Sequence, residues 1–151
     1  MKITDIELGM LRVPLKTPFK TALRTVETME DVVVLVRTDS GHTGYGEAPP
    51  TAVITGDTHG SIIEAINTFI KPRLIGENIS NLNRVCGLIH SSLGPNPGAK
   101  AEGEIAVSDL WAQLTGAPDR RSTSLNSSQP DLFRMPPSPS KKKNNGPQAY
   151  A

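Results

Sequence analysis

One cysteine in 151 residues, Cys86, excludes an internal disulfide and suits a reducing compartment. Aromatic residues are also scarce, with three Phe, two Tyr and one Trp, and the apolar fraction of 36% is low for a compact domain. No apolar run approaches the ~20 residues of a membrane span. The start, Met1-Lys2-Ile3-Thr4-Asp5, lacks the apolar core of a signal peptide. A cytoplasmic chain with no membrane partner is therefore expected. Charge of one sign is missing too: residues 1–118 carry 10 Lys and Arg against 13 Asp and Glu, and residues 119–151 carry 6 against 2. Neither balance calls for nucleic acid as a partner. The three histidines, His42, His59 and His90, share no metal-ligand spacing and read as surface residues.

What is present divides near Pro118. Residues 119–151 are rich in Ser, Pro, Asn and Lys and show no periodic apolar face. Such a segment cannot offset its ordering entropy, so a disordered tail is expected there and a folded domain over 1–118. The tail's apolar cluster is Leu132-Phe133-Arg134-Met135. Its Pro136-Pro137-Ser138-Pro139 and Lys141-Lys142-Lys143 are too short to define a polyproline ligand or a phosphate-binding patch.

The domain reads as α+β, a three-stranded antiparallel meander followed by about three helices. Residues 3–15 alternate in part and predict a long strand ending near Pro14. Residues 16–30 are polar and read as irregular. Residues 31–39 are β-branched and nearly continuous, Ser40-Gly41 is a turn signal, and 42–48 returns as the second arm of a hairpin. Ser61-Ile62-Ile63-Glu64 predicts a capped helix start, with Ile62, Ala65, Ile66 and Phe69 on one buried face and a stop or kink at Pro72. A second helix is predicted from about Asn81 to Ser92. A third starts at Asn96-Pro97, buries Ile105, Val107, Leu110, Trp111 and Leu114, and stops at Gly116-Ala117-Pro118. Gly103 weakens its interior.

Several residues are of types that can carry chemistry. Cys86 lies in an apolar run and reads as a buried, inert thiol. Gly41, Gly44 and Gly46 sit in a hairpin, not between a strand and a helix, so they do not form a phosphate cradle. Glu102, Glu104 and Asp109 point to different helix faces and read as solvated, while Glu47 reads as a hydrogen-bonded structural carboxylate. After Glu47 the consecutive Pro49-Pro50 break the strand, and the residues that follow hold apolar Val53 and Ile54 on an irregular segment ending Thr55-Gly56-Asp57. An apolar loop tip needs a cover, from its own domain, a partner or a ligand. The segment 17–25 has Phe19 near one end and Arg24 near the other. Arginine's planar fork suits a carboxylate, although Arg24 also has Glu27 within reach as a surface partner.

Taken together, Pro18-Phe19-Lys20-Thr21-Ala22-Leu23-Arg24-Thr25, Gly44-Tyr45-Gly46-Glu47-Ala48-Pro49-Pro50-Thr51 and Val53-Ile54-Thr55-Gly56-Asp57 resemble the N-terminal capping domain of the enolase superfamily. The likeness is to the mandelate racemase/muconate lactonizing group, and within it to dipeptide epimerases acting on Ala-Glu. It covers residues 1–118. In that family the cap closes two loops over the substrate, while a (β/α) barrel holds Mg²⁺ on three carboxylates and moves the α-proton between two lysines. The resemblance implies that Arg24 grips a glutamyl side-chain carboxylate, that Phe19 walls the pocket, and that Ile54 is an apolar wall of the second loop.

The chain also departs from the family. A barrel takes about 200 residues or more, and only 33 follow Pro118. Lys141-Lys142-Lys143 fits the letters of the lysine pair but sits in low complexity, and the metal carboxylates are missing, so no Mg²⁺ is expected to bind this chain. Glu102, Gly103 and Ser108 stand where the family tends to have small, apolar and aromatic residues. The expectation is a truncated capping domain, inactive alone, with no catalytic residue of its own and a tendency to self-associate through its uncovered barrel-facing surface. The alternative is a non-catalytic binding module that pairs with a barrel-bearing partner or a ligand.

Overall fold

A computed structural model describes residues 1–22 and 24–116. The expectations for residues 119–151 lie outside them. Three strands, β1 (Ile3–Lys20), β2 (Thr25–Thr38) and β3 (Thr43–Ala48), form an antiparallel sheet in the order β1-β2-β3. The β2–β3 turn is built on Gly41, whose φ of 80° is the left-handed conformation glycine accepts without strain. Val32, Val34 and Val36 turn one face of β2 into the core, meeting Ile3 and Ile6 of β1 and the apolar faces of the helices.

Two strands run further than the sequence suggested. β3 ends where Ala48 pairs with Val32, and beyond that point β1 and β2 continue as a two-stranded ribbon to the pair Lys20–Thr25. The segment 16–30 is thus a hairpin arm and not an irregular loop. A ribbon with no third strand buries little, so it need not carry an apolar pattern. Pro14 does not end β1, because an edge strand tolerates the missing donor; the pairing shifts register between Pro14 and Phe19 instead.

The first helical run begins one turn earlier than expected. Thr58 is its N-cap, accepting from Ser61 N at 3.1 Å and donating its own N–H to Ser61 Oγ at 2.9 Å, so Ser61 is the last residue of a capping box and not its first. The run comprises α1 (His59–Glu64), a π-helical turn (Ala65–Ile70) and α2 (Lys71–Leu74). The wider turn moves the buried face by one residue: Ile70 is buried where Phe69 was expected, and Phe69 is exposed. It also carries the helix through Pro72, since Lys71 N–H already reaches back five residues to Ile66 O. No helix among the described residues is long and apolar enough to cross a membrane.

Helices α3 (Leu82–Ser92) and α4 (Pro97–Thr115) lie where the second and third helices are predicted, with Asn81 and Asn96 accepting from Arg84 N and Ala99 N, and Gly116 closing α4 at φ 65°. The buried face of α4 differs from expectation. Val107 and Leu110 are buried, but Ile105 and Leu114 are exposed, and Ala99, Gly103 and Ala106 are buried with Glu102 and Ser108. Small residues fill that face because α4 lies close against β3 and α3.

The loop after β3 is tied to the start of α4. Asp57 is buried, and its carboxylate accepts from Gly98 N at 3.1 Å, placing a negative charge on the helix's free N–H groups. Asp57→Ala should lower stability by ~1–2 kcal/mol, by loss of a charged cap; urea denaturation checks this, and an unchanged midpoint would contradict it.

Candidate functional site

The ribbon and the proline-broken end of β3 enclose a groove of about 560 Å³, within the size range of ligand pockets. Leu15, Phe19, Val26, Met29, Pro49 and Pro50 supply apolar walls, and Arg24, Asp31, Glu47 and His59 bring polar groups to it. Phe19 pairs across the ribbon with Val26 and is 59% exposed.

Arg24 is aimed by the ribbon tip. Thr21 N donates to Arg24 O at 2.8 Å, and Arg24 N donates to Thr21 Oγ1 at 3.1 Å, which fixes the backbone on both sides of the turn. Its Nε is buried and has no hydrogen-bond partner among the described residues, and no ion pair joins it to Glu27. A guanidinium N–H held out of water without an acceptor is unfavourable by itself and favourable for an incoming anion.

The sequence-derived site residues are only partly brought together. Phe19 and Arg24 share the groove with Glu47, whereas Ile54 does not line it. Ile54 lies in a turn held by Ile54 N to Thr51 O at 2.8 Å and Thr55 N to Thr51 O at 2.9 Å. There Val53 and Ile54 are 64% and 62% exposed, so no described residue covers the apolar tip.

Several other readings are corrected. Glu47 is exposed and accepts no hydrogen bond from a described residue, so it is not a structural acceptor. His59 is half-buried, with Nε2 3.1 Å from Glu30 O, and belongs to the groove wall. Cys86 is half-buried against the core. The three carboxylates of α4 do not form a solvated face. Glu104 pairs with His90, and Asp109 accepts from Tyr45 N at 3.1 Å on the outer edge of β3. Glu102 is fully buried, with neither oxygen hydrogen-bonded among the described residues. Burial, then the charges of Glu47 and Asp31, push its carboxyl up to about 8. Asp31, buried at the head of β2, is the groove residue that sequence reasoning missed.

A three-stranded meander backed by three helical runs, with two loops after β1 and β3, is the N-terminal domain fold of the enolase superfamily. The chain belongs to the mandelate racemase/muconate lactonizing enzyme family, whose N-terminal domain profile matches residues 5–119. It is 49% identical over 118 residues to the L-Ala-D/L-Glu epimerase of Bacillus subtilis, covering 78% of this chain and 32% of that protein. The L-Ala-D/L-Glu epimerase of Clostridium acetobutylicum is 44% identical over the same length, with 33% of it covered. The substrate-liganded structure of the Bacillus enzyme superposes with a TM-score of 0.74 over 76% of this chain and 32% of that one. The dipeptide epimerase of Enterococcus faecalis, solved with Mg and the dipeptide L-Leu-L-Tyr, is 32% identical with a TM-score of 0.71, over 76% of this chain and 32% of that chain. The chain thus spans about a third of the length of the curated relatives it matches. Among the described residues no group of three or more His, Cys, Asp or Glu converges to hold a metal ion.

Proposed function

We propose that residues 1–118 are the substrate-capping domain of a dipeptide epimerase of the Ala-Glu type. The observation that supports this most is the buried, unpartnered Nε of Arg24 in a groove walled by Phe19. In this reading the guanidinium takes the side-chain carboxylate of a glutamyl residue through paired N–H donors. Phe19 excludes water beside it, and Ile54 on the second loop closes from outside the groove. Moving an α-proton beside a carboxylate needs a base and a stabiliser for the enolate, which a metal supplies in such enzymes. In this reading the proton chemistry belongs to the barrel of the full-length enzymes, and the chain alone is expected to turn over no dipeptide. The lone Cys86 fits a cytoplasmic setting. The exposed Val53 and Ile54 also fit a second reading, a binding module whose loops close on a barrel carried by another chain or on a second copy.

The test is a titration of the isotope-labelled chain with Ala-Glu in deuterated buffer containing Mg²⁺. Chemical-shift changes should centre on Phe19 and Arg24, and Arg24→Gln should weaken binding at least about tenfold, the worth of a charge-assisted pair. The dipeptide α-proton should not exchange above the protein-free rate. Equal affinity in the variant would refute the role of Arg24, and chelator-sensitive exchange would refute inactivity.

A further inference from the structure

The two outer edges of the sheet are finished differently. On β3, Asp109 accepts from Tyr45 N and Gln113 Nε2 donates to Thr43 O, so α4 closes that edge. On β1 only the start is closed. Ile3 N donates to Glu77 O at 3.0 Å, Ile3 O accepts from Gly76 N at 2.8 Å, and Ile6 O accepts from Lys71 Nζ at 2.7 Å. Backbone groups of an antiparallel strand point alternately to its two sides, so from Ile6 onward those of Leu8, Met10, Arg12 and Pro14 face away from β2. Pro14 has no N–H to offer. Leu8, Met10 and Arg12 each present an N–H and a C=O to which no other described element bonds.

This stretch lacks the usual guards of a free edge. From Leu8 to Leu11 it carries neither charge nor proline. Met10 is 55% exposed, and Leu11 and Val13 are exposed beside it. Nothing lies within 4 Å of a carbon added at Gly9, so the face that carries Glu7 and Leu11 has a gap between them. The flanks of the stretch differ in sign, with Asp5 and Glu7 before it and Arg12, Lys16 and Lys20 after it. A second copy of β1 running antiparallel fits that pattern, because the acidic flank of each copy then lies beside the basic flank of the other. A parallel copy would set like charges side by side.

We propose that the outer edge of β1 docks a second copy of this chain, paired antiparallel about Met10 so that the two three-stranded sheets become one. In that register Leu8 pairs with Arg12 of the second copy and Met10 with its own counterpart, which satisfies the outward donors and acceptors with about six bonds. Gly9 lies opposite Leu11 of the second copy, where the gap receives that side chain, and no two like charges face each other. Stable interfaces bury ~1,200–2,000 Å² in total, more than this short pairing supplies, so the dimer is weak and reversible. The surface is separate from the loop tip at Val53 and Ile54, and the inference does not depend on the role of Arg24.

The experiment follows the whole chain by sedimentation equilibrium and NMR from about 10 µM to about 1 mM. A monomer–dimer equilibrium should appear, with the amides of Leu8, Met10 and Arg12 exchanging more slowly as concentration rises. In a mixture of isotope-labelled and unlabelled chains, intermolecular NOEs should join Gly9 to Leu11, whose Cα atoms lie ~4.5 Å apart in such a pair. Met10→Lys sets two ammonium groups opposite each other and should weaken the dimer at least about tenfold, whereas Ile54→Asp should leave it unchanged. A chain that stays monomeric at the highest concentration overturns the proposal. So does a dimer that survives Met10→Lys and is lost in Ile54→Asp, which would place the contact at the loop tip. The NOEs of the wild-type chain decide the matter even if Met10→Lys does not fold, and their absence in a dimer overturns the pairing.

Discussion

Gly46→Ala is expected to destabilise the domain by ~3–5 kcal/mol, a large share of the ~5–15 kcal/mol by which a domain is stable. A Cβ at Gly46 would fall within the radius of the Glu102 carbonyl oxygen and lie 3.1 Å from Ala106 N. One at Gly44 would meet the Ala106 carbonyl in the same way and lie 2.6 Å from Leu110 Cγ. These obstacles are mostly helix backbone, which cannot rotate aside as a side chain would. Nor can α4 simply back away. Asp109 holds Tyr45 N–H between the two glycines, and Gln113 Nε2 donates to Thr43 O at 2.9 Å, so α4 closes the outer edge of β3 by direct bonds. An open strand edge is a template for another chain, and this helix covers it. Moving α4 outward would break those bonds and open a void under Leu110. Gly9→Ala is the control, because nothing lies within 4 Å of the added carbon and the position is an ordinary strand site. Urea denaturation should show a large loss for Gly46→Ala and little change for Gly9→Ala. Equal midpoints for the two variants would show that the contact between β3 and α4 is not tight.

The same glycines show what could and could not be read from the sequence. Gly44-Tyr45-Gly46 was legible as not a phosphate cradle, and as part of a family pattern, but its reason lies in a helix some 60 residues away. Elements whose signals are local were legible: the hairpin around Gly41, the N-cap Asn96 and the stop at Gly116. Elements set by tertiary packing were not. The buried face of α4 carries no large apolar stripe to mark it in the sequence. A helix lying close against a strand buries Ala99, Gly103 and Ala106 and leaves Ile105 outside. The π turn at 65–70 has no local mark except Pro72 downstream. In the groove, Phe19 and Arg24 were legible through the family pattern of their segment. Asp31 was not, because burial beside the groove is a property of three dimensions, and in sequence it is only the charge that opens a β-branched run.

Glu102 sets the second large effect, on stability as a function of pH. Its carboxyl is pushed up from 4.5 to about 8, first by burial and then by Glu47 and Asp31. The folded chain therefore holds this proton more tightly than the unfolded chain does. Stability from this group is complete below about pH 4.5, declines as pH rises, and is fully lost above about pH 8. At ~1.4 kcal/mol for each pH step across that window, the loss is on the order of 5 kcal/mol. Asp31, also raised by burial, acts in the same direction. Asp5, Glu7 and Glu77 are lowered by their partners Lys71, Arg37 and Arg84, and act oppositely, losing stability only as the medium becomes acid. They are solvent-screened surface groups, so the interval from 4.5 to 8 belongs to Glu102. Glu102→Gln keeps the shape and removes the ionisation. It should flatten the profile over that interval and raise stability at pH 8 by a few kcal/mol, on the scale of the charge burial it avoids. Glu102→Ala should flatten it too, with part of the gain offset by ~1–2 kcal/mol for the buried methylenes removed. Urea midpoints at pH 5, 7 and 8.5 for the wild-type chain and both variants decide the point. A wild-type chain more stable at pH 8.5 than at pH 5, or a Glu102→Gln variant that keeps the full slope, would show that Glu102 finds water or a cation when it ionises. The carboxylate would then not be sealed between α4 and the sheet.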